Sequence, residues 1–319
     1  MSREDALRRF LSEAGRDGWA RRPLAGDASA RRYERISDGT GSLILMDADP
    51  ATCGSVQPFL DIRNHLFDFG FSAPALWAED VEAGFLLLED FGDALFAEVM
   101  ARDTAQERPL YRSAADLLAR LHEKPLPAGM KPMSAEALAA MIAPAFEAYA
   151  PALAPRLPAA QAAFAEALRP VAEAPAVLAL RDFHAENMVF LPDRKGDRQV
   201  GLLDFQDAFA THPAYDLVSM LQDARRDVAP DTEDEILAHF IARTGAEPES
   251  FRAAYALLGA QRNLRILGIF SRLAKSRNKP QYLALQPRVW RHLQADLAHP
   301  ALAPLRDILA PLPSPEVPA

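Results

Sequence analysis

Three polar residues in one short stretch of the chain have the types and order of a phosphoryl-transfer site. Asp182 and Asn187 lie five positions apart in RDFHAEN, and Asp204 follows at the end of VGLLDF. Phosphoryl transfer needs a carboxylate for the proton of the attacking hydroxyl and oxygen ligands for Mg²⁺, which neutralises phosphate charge. The spacing of the first pair alone is more often that of ordinary turn residues. With the second Asp after an apolar strand, the set indicates a kinase-type site.

Hydrophobic periodicity predicts the elements that position these residues. Near the N-terminus, ARRYERI and SLILMDA read as a hairpin, PFLDIRNHLFDFG as a helix ending at Gly70, and GFLLLED as a buried strand. Beyond Asp90, apolar residues recur at helical spacing, interrupted by an island at 176–207 where VLAL and VGLLDF suggest a short embedded hairpin. We therefore predict an α+β fold with two lobes. A small antiparallel-sheet lobe spans 1–90, a larger mainly helical lobe spans 91–310, and 311–319 form a flexible tail.

Composition excludes several classes of protein. The net charge of −9 argues against a nucleic-acid binder. Cys53 is the only cysteine, which excludes an intramolecular disulfide and fits a reducing compartment. The first nineteen residues read as an amphipathic helix rather than a signal peptide, and no apolar run is long enough to cross a bilayer. We expect a cytoplasmic protein. The absence of G-x-x-x-x-G-K-[ST] excludes an ordinary P-loop kinase.

RDFHAEN, LLDFQDA and AYDLVSML, taken together, resemble the aminoglycoside phosphotransferase and choline kinase superfamily, which shares the protein-kinase fold. The resemblance implies ATP and Mg²⁺ as cofactors. It implies Asp182 as the catalytic base, Asn187 and Asp204 as Mg²⁺ ligands, and Asp216 as a structural acid that braces the catalytic loop. The segment LLLEDFGD would join the lobes, with the backbone around Glu89, Asp90 and Phe91 holding the adenine.

Two further stretches resemble the cell-wall sugar kinases, which phosphorylate the anomeric hydroxyl of N-acetylmuramate and N-acetylglucosamine during peptidoglycan recycling. These stretches are GDASARRYERI and QRNLRILGIFSRLAKSRNKPQYLALQPRVWRHL. On the second of them, Arg262 and Arg265 are candidates for binding an anionic sugar, because they adjoin a Gln and an Asn that can also recognise it. The remaining basic residues of that helix read as a solvated face. Asp207 is a candidate for placing the sugar or a second metal ion.

The chain departs from the protein-kinase pattern at the nucleotide phosphates. Kinases place a lysine on the third strand of the small lobe, whereas this chain has Met46 or Asp47 there and no lysine before Lys124. Ser29, in GDAS, belongs either to a loop whose backbone N–H groups approach phosphates or to a plain hairpin turn. Arg31 and Arg32 are the candidate cations that replace the lysine.

Three functions remain open from the sequence. The first is an ATP- and Mg²⁺-dependent kinase acting on a sugar hydroxyl, best the anomeric hydroxyl of N-acetylmuramate or N-acetylglucosamine. The second is a kinase of another hydroxylated metabolite, such as an aminoglycoside or choline. The third is a non-catalytic nucleotide-binding module. The expected partners are a sugar and ATP, and nothing in the sequence indicates an obligate protein partner.

Overall fold

The computed structural model describes residues 2–24 and 30–315. The chain forms two compact units, and neither is a single continuous segment. The first unit comprises Met1–Val99 and Glu186–Asp207, and the second comprises Met100–Ala185 and Ala208–Ala319. The predicted lobes at 1–90 and 91–310 follow the chain order alone. The compact units differ from them because the chain returns to the first unit for 22 residues before it continues in the second.

An antiparallel sheet of five strands forms the frame of the first unit, in the spatial order β1-β2-β3-β5-β4. The strands are β1 (Ala20–Pro23), β2 (Arg32–Ser37), β3 (Ser42–Asp47), β4 (Leu76–Asp80) and β5 (Phe85–Glu89). The predicted hairpin of β2 and β3 and the predicted buried strand β5 are confirmed. The edge strands β1 and β4 lie in segments that the sequence did not single out. Alternation of side chains across the sheet gives it two different faces.

Helix α1 (Arg3–Glu13) covers one face of this sheet. Its buried residues Leu7, Phe10 and Leu11 pack with Leu45 of β3 and Phe85 of β5, so the predicted amphipathic helix is confirmed. Ser2 and the residue at the third helical position exchange hydrogen bonds in a capping box, which satisfies backbone N–H groups at the start of the helix.

Three further helices begin in the first unit: α2 (Pro50–Cys53), α3 (Gln57–Asp68) and α4 (Phe96–Arg102). The chain leaves α3 through Gly70, whose φ of 74° is the left-handed conformation that the sequence predicted there. The segment 186–207 adds a two-stranded ladder, β7 (Met188–Phe190) with β8 (Val200–Leu202). The amide of Leu202 donates to the carbonyl of Ser72, and the amide of Phe190 donates to that of Ala94.

The pairing predicted inside the 176–207 island is wrong. VGL of β8 pairs with MVF of β7, while VLA forms β6 (Val177–Ala179) and pairs with β9 (Phe209–Thr211). Short apolar runs of this kind carry no register information beyond alternation, so the sequence does not specify which run meets which. As a result, the two ladders belong to different units.

The second unit is mainly helical. Its α-helices are α5 (Glu107–His122), α6 (Ala135–Ala140), α7 (Leu157–Glu173), α8 (Ala214–Leu221), α9 (Pro230–Thr244), α10 (Pro248–Ser276), α11 (Gln286–Ala298) and α12 (Ala303–Leu309). A π-helix at Ala145–Tyr149 crosses α10 at Gly268, where a Cβ atom would lie 2.0 Å from the carbonyl carbon of Pro144. In the described part of the chain, no helix has the length and apolarity needed to cross a membrane.

The beginning of the predicted flexible tail is anchored to the second unit. Leu312 is buried, and the hydroxyl of Tyr149 donates to the carbonyl of Pro313. The expectation of a free tail from 311 onward is therefore corrected for these residues, because an apolar side chain and a backbone carbonyl both find partners. Residues 316–319 lie outside the described part of the chain.

Candidate active site

A buried carboxylate, that of Asp216, accepts hydrogen bonds from the backbone just before Asp182. Asp182 follows β6, and the carboxylate of Asp216 on α8 accepts the amide of Leu180 at 2.6 Å and that of Arg181 at 2.9 Å. Arg181 has a φ of 74°, which is unusual for a residue with a side chain and marks strain at this turn. The two hydrogen bonds fix this strained backbone, as the sequence resemblance implied for Asp216.

A second support reaches the same turn from α8 and α10. The hydroxyl of Ser219 donates to the carbonyl of Arg181 at 3.1 Å, and the guanidinium of Arg262 donates to that hydroxyl at 2.7 Å. Ser219 and Arg262 are both buried. The turn before Asp182 is thus held through both its amides and its carbonyl.

Burial governs the ionisation of the supporting groups. It raises the pKa of Asp216 to about 7, against the opposing effect of the two amide hydrogen bonds. It also lowers the pKa of His184 well below its ordinary value, and the nearby positive charge of Arg225 acts in the same direction. The Nε2 atom of His184 lies 3.3 Å from the guanidinium of Arg225. His184 is therefore a buried residue of the loop that carries Asp182, and it lies beside Arg225.

In the first unit, the β7–β8 ladder brings Asn187 next to Asp204. Asn187 immediately precedes β7, and Asp204 is the second residue after β8. The amide of Leu203, between β8 and Asp204, donates to the carbonyl of Asn187 at 3.0 Å. Antiparallel pairing therefore places the two predicted Mg²⁺ ligands at the same end of one ladder. The pairing of β7 with β8 is an observation separate from the side-chain types of Asn187 and Asp204, on which their prediction as ligands was based.

The backbone at Asp204 is in the left-handed region, with a φ of 56°. The side chain of Gln206 donates to its carboxylate at 2.9 Å. The following residue, Phe205, is fully buried and stacks on Phe59 of α3 with a ring-centroid distance of 5.0 Å. A strained conformation held by a buried aromatic anchor is a recurrent feature of functional sites, because the surrounding packing must offset its cost.

The segment predicted to hold adenine is rich in ionic contacts. Glu89 accepts hydrogen bonds from the guanidinium of Arg194 and from the amide of Ala75, while its own amide donates to the carbonyl of Ala75 at 2.8 Å. The backbone amide of Glu89 is thus already hydrogen-bonded within the first unit, and the adenine contact of this segment stays a prediction.

The side chains of Asp90 and Phe91 are also fixed. Asp90 lies 2.6 Å from the guanidinium of Arg35 and accepts the hydroxyl of Ser42. The ring of Phe91 lies against Gly201 of β8, where a Cβ atom would come within 2.9 Å of it. A larger residue at position 201 would therefore displace the ring of Phe91.

The predicted sugar-binding residues occupy different environments. Arg262 is 5% exposed and supports the turn before Asp182 through Ser219, which weighs against a direct sugar contact. Arg265 is half-buried, and burial lowers its pKa, with Asp182 among the nearby charges that influence it. Asp207 is exposed. The substrate roles of these three residues stay predictions.

The expectation that a Gln and an Asn beside Arg262 on α10 can recognise a sugar is wrong. Gln261 and Asn263 are fully buried, so neither is available to recognise a sugar. Gln261 donates to the carbonyl of Leu138, and Asn263 donates to Gln222 and Asp296. Polar residues on a long helix look alike in sequence whether they face a ligand or a buried network.

The candidate phosphate-binding residues are only partly described. Ser29 lies outside the described residues. Arg32 is bound to Asp47 at 2.7 Å, and the guanidinium of Arg3 binds the same carboxylate. Arg31 forms a hydrogen bond with the side chain of Tyr33. Sequence reasoning had singled out neither Ser219 nor Tyr33. The position of Ser219 one helical turn after Asp216 was the only available signal for it.

Comparisons with known proteins agree on one family. Residues 20–254 match the phosphotransferase enzyme family. The chain is 38% identical to the N-acetylmuramate/N-acetylglucosamine kinase of Caulobacter vibrioides, and the match covers 95% of each chain. It is 32% identical to the protein of the same name from Pseudomonas aeruginosa, over 91% of this chain and 88% of the relative.

Solved structures support the same fold. A choline/ethanolamine kinase family protein from Mesorhizobium loti superposes with a TM-score of 0.65 at 14% identity, covering 97% of this chain and 99% of that one. The gentamicin complex of an aminoglycoside phosphotransferase gives a TM-score of 0.64 at 11% identity, with coverage of 93% and 97%. At such identities the likeness concerns the fold alone, and it confirms the predicted kinase-like α+β class. With the family match over most of its length, the chain belongs to the phosphotransferase enzyme family and is a small-molecule kinase.

Proposed function

We propose that this protein is an ATP- and Mg²⁺-dependent kinase of N-acetylated amino sugars, acting on the anomeric hydroxyl of N-acetylmuramate or N-acetylglucosamine. The observation that carries the proposal is similarity over nearly the whole chain to relatives that bear the name N-acetylmuramate/N-acetylglucosamine kinase. The arrangement of the catalytic loop and of the β7–β8 ladder supports it. Similarity of this extent includes both units, and therefore the substrate-binding part as well as the nucleotide-binding part.

The residues at the end of the β7–β8 ladder fit a magnesium ion. Asn187 and Asp204 offer an amide oxygen and a carboxylate, which are the hard oxygen donors that Mg²⁺ prefers. Two protein ligands leave positions for phosphate oxygens and water, as is usual for this ion with nucleotides. When bound, Mg²⁺ would neutralise negative charge on the nucleotide phosphates. The left-handed backbone of Asp204 fits a side chain whose direction is imposed by such a role.

Asp182 is the proposed general base. It would accept the proton of the sugar hydroxyl as that oxygen attacks the γ-phosphate in line with the leaving oxygen. Proton transfer by a positioned carboxylate depends on its direction, which explains why the preceding turn is fixed through its amides and its carbonyl. The protein's contribution is positioning and charge rather than covalent chemistry.

The test is ATP consumption with Mg²⁺ on N-acetylmuramate, N-acetylglucosamine, choline and kanamycin, with the phosphate position read by phosphorus NMR. We expect a sugar 1-phosphate from the two amino sugars. The methyl glycoside of N-acetylglucosamine is the matched control, because its anomeric oxygen carries no proton to remove and it should not react. Phosphorylation of the glycoside, or preference for kanamycin or choline, would contradict the proposal.

A substitution separates catalysis from binding. Asp182→Asn keeps the size of the side chain but removes the base, so turnover should fall by roughly 10²- to 10⁴-fold while MgATP affinity stays near that of the unmodified protein. Calorimetric titration with MgATP and a steady-state assay measure the two quantities. Full activity in this variant would show that Asp182 is not the base.

A further inference from the structure

The turn that leads into Asp182 is a γ-turn of the rarer form. The amide of Asp182 donates to the carbonyl of Leu180 at 2.9 Å, and Arg181 between them has a φ of 74°. This form is uncommon because a positive φ strains a residue that carries a side chain. A strained turn persists only where its surroundings fix it, so the groups that hold Arg181 also determine the direction of Asp182.

The carbonyl of Arg181 lies in the peptide group that connects this turn to Asp182. The carbonyl and the amide of Asp182 belong to one planar unit, so a partner that fixes the one also fixes the other. That partner is Ser219 of α8, whose hydroxyl donates to the carbonyl at 3.1 Å. Because Ser219 is fully buried, water does not compete for its hydroxyl.

Arg262 of α10 determines the direction of that hydroxyl. Its Nη2 atom donates to the Ser219 oxygen at 2.7 Å, and the positive charge strengthens this hydrogen bond. Because the bond uses the oxygen as an acceptor, the hydroxyl proton remains for the carbonyl of Arg181. Hydrogen bonds in a chain polarise one another, so the charge also makes the hydroxyl a better donor. The chain of hydrogen bonds therefore runs from Arg262 through Ser219 to the peptide before Asp182.

The burial of Arg262 fits such an internal role. The residue is 5% exposed, and its Nη1 atom is buried with no hydrogen-bond partner among the described residues. Burying a charged group with an unsatisfied donor costs stability, and such departures from a well-satisfied interior are expected where function requires them. These features indicate a residue that serves the turn before Asp182 rather than the stability of the fold.

The charge of Arg262 also acts on the other support of the turn. Asp216 accepts the amides of Leu180 and Arg181. Burial raises the pKa of Asp216, and the nearby charge of Arg262 opposes that effect, which favours the carboxylate form that accepts both amides. Both supports of the turn are therefore influenced by one guanidinium.

We propose that Arg262 is a positioning residue of the kinase reaction, which acts through Ser219 on the peptide group that precedes Asp182. The inference rests on the proposed function for the role of Asp182 as the general base. It is an alternative to the prediction from sequence that Arg262 binds the sugar. A positioning residue sets the rate of the chemical step, whereas a sugar-binding residue sets the affinity for the acceptor.

The experiment compares Arg262→Met, Ser219→Ala and the double variant in steady-state kinetics, with the acceptor that the unmodified protein phosphorylates. Each single substitution should lower kcat by about 10- to 100-fold, because a small misplacement of the base slows the reaction. The KM values for the acceptor and for MgATP should stay within about threefold of those of the unmodified protein. Since both residues act in one chain, the double variant should lose no more than the larger single loss.

Two results of these assays would overturn the proposal. A raised KM for the acceptor with unchanged kcat in Arg262→Met would show that Arg262 binds the sugar. Losses that multiply in the double variant would show that Arg262 does not act through Ser219.

Arg252→Met is the matched control on the same helix. The side chain of Arg252 is 41% exposed and lies 3.4 Å from Asp234, so its loss should leave kcat and both KM values unchanged. Urea unfolding of every variant separates positioning from stability. A lower unfolding free energy of Arg262→Met with unchanged kcat would mean that Arg262 is merely structural.

Amide hydrogen exchange tests the same inference without any acceptor. Residues 177–185 should exchange faster in Arg262→Met and in Ser219→Ala than in the unmodified protein, because the released turn opens more often. Arg252→Met should match the unmodified protein, and equal exchange in all four proteins would overturn the inference. If no acceptor reacts with the unmodified protein, the sugar kinase is refuted, and the exchange measurement decides the role of Arg262 by itself.

Discussion

Asp90 of the first unit and Asp216 and Asp296 of the second have different hydrogen-bond partners, and their pKa values are shifted in opposite directions. In the first, Asp90 is paired with Arg35; burial raises its pKa, but hydrogen bonds from Arg35, Ser42 and the Gly92 amide outweigh burial and lower it. In the second, Asp216 is held by backbone amides and Asp296 by amide side chains, and burial raises the pKa of both. Asp90 is thus held in an ion pair, whereas Asp216 and Asp296 are held by uncharged amide donors.

The difference shows what each arrangement contributes. Hydrogen bonds from an arginine and from neutral amides both favour the charged carboxylate, but only the arginine adds a positive charge. With neutral amide donors alone, burial outweighs the hydrogen bonds and raises the pKa of Asp216 and Asp296. A third acid of the second unit, Asp227, supports this explanation. It lies in the second unit but is mostly exposed, and hydrogen bonds from Arg288 lower its pKa to about 2. Burial and partner type therefore decide the direction, and membership of a unit does not.

The largest effect is expected at Asp216. Asp216→Ala would leave the buried amides of Leu180 and Arg181 without acceptors, at about 1–3 kcal/mol for each lost partner. We expect a lower unfolding free energy and a fall in kcat greater than the rise in KM, because the turn before Asp182 is released. Urea unfolding and steady-state kinetics measure both. Asp216→Asn, which retains one acceptor oxygen, is the matched control; equal stability of all three proteins would show that this support is unnecessary.

A smaller effect is expected from the ion pair in the sheet unit. Arg35→Met leaves Asp90 without its charged partner and should cost about 1–3 kcal/mol of unfolding free energy. Since the folded-state pKa of Asp90 lies below 3.8, its stabilising contribution is present above that pH and is lost as the pH falls through the folded value. The penalty of the substitution should therefore shrink below pH 4 in urea titrations. A penalty independent of pH would contradict the ion-pair explanation.

Asp296 should respond to pH in the opposite direction. Its folded-state pKa lies well above 3.8, so its contribution to stability is complete below that pH and is lost as the pH rises through the folded value. Asp296→Asn cannot ionise, and its melting temperature should fall less between pH 5 and pH 8 than that of the unmodified protein. Parallel melting curves over this range would mean that Asp296 does not carry the effect.

The smallest effect is expected at Asp227. Because the carboxylate is 63% exposed, water and salt screen its pairs with Arg288 and Arg291. Asp227→Asn should change the unfolding free energy by less than about 0.5 kcal/mol at neutral pH, despite the lowered pKa. A loss as large as that of Arg35→Met would show that exposure does not separate the two kinds of pair.

The fold class could be predicted from the sequence because it depends on local patterns, and the site residues were proposed from local patterns too. Alternation in ARRYERI and SLILMDA specified the β2–β3 hairpin, and Gly70 specified the end of α3. The order of Asp182, Asn187 and Asp204 indicated the chemistry before any geometry was known. These features need only neighbours along the chain.

What the sequence did not predict depends on distant pairing. Nothing in VLAL or VGLLDF specifies that one pairs with β9 and the other with β7. The burial of Gln261 and Asn263 likewise depends on Leu138, Gln222 and Asp296, which lie far away in sequence. The pairing of Arg32 with Asp47 likewise required the register of the sheet.

The return of 186–207 to the first unit sets an order for biosynthesis. A chain that has left the ribosome as far as Val99 contains all five strands of the sheet, but the carbonyl of Ser72 and the ring of Phe59 still lack the partners they find at Leu202 and Phe205. Helices α5 to α7 emerge before those partners do. The N-terminal unit is therefore completed only after part of the helical unit has been synthesised, so its sheet lacks these two contacts during that part of translation.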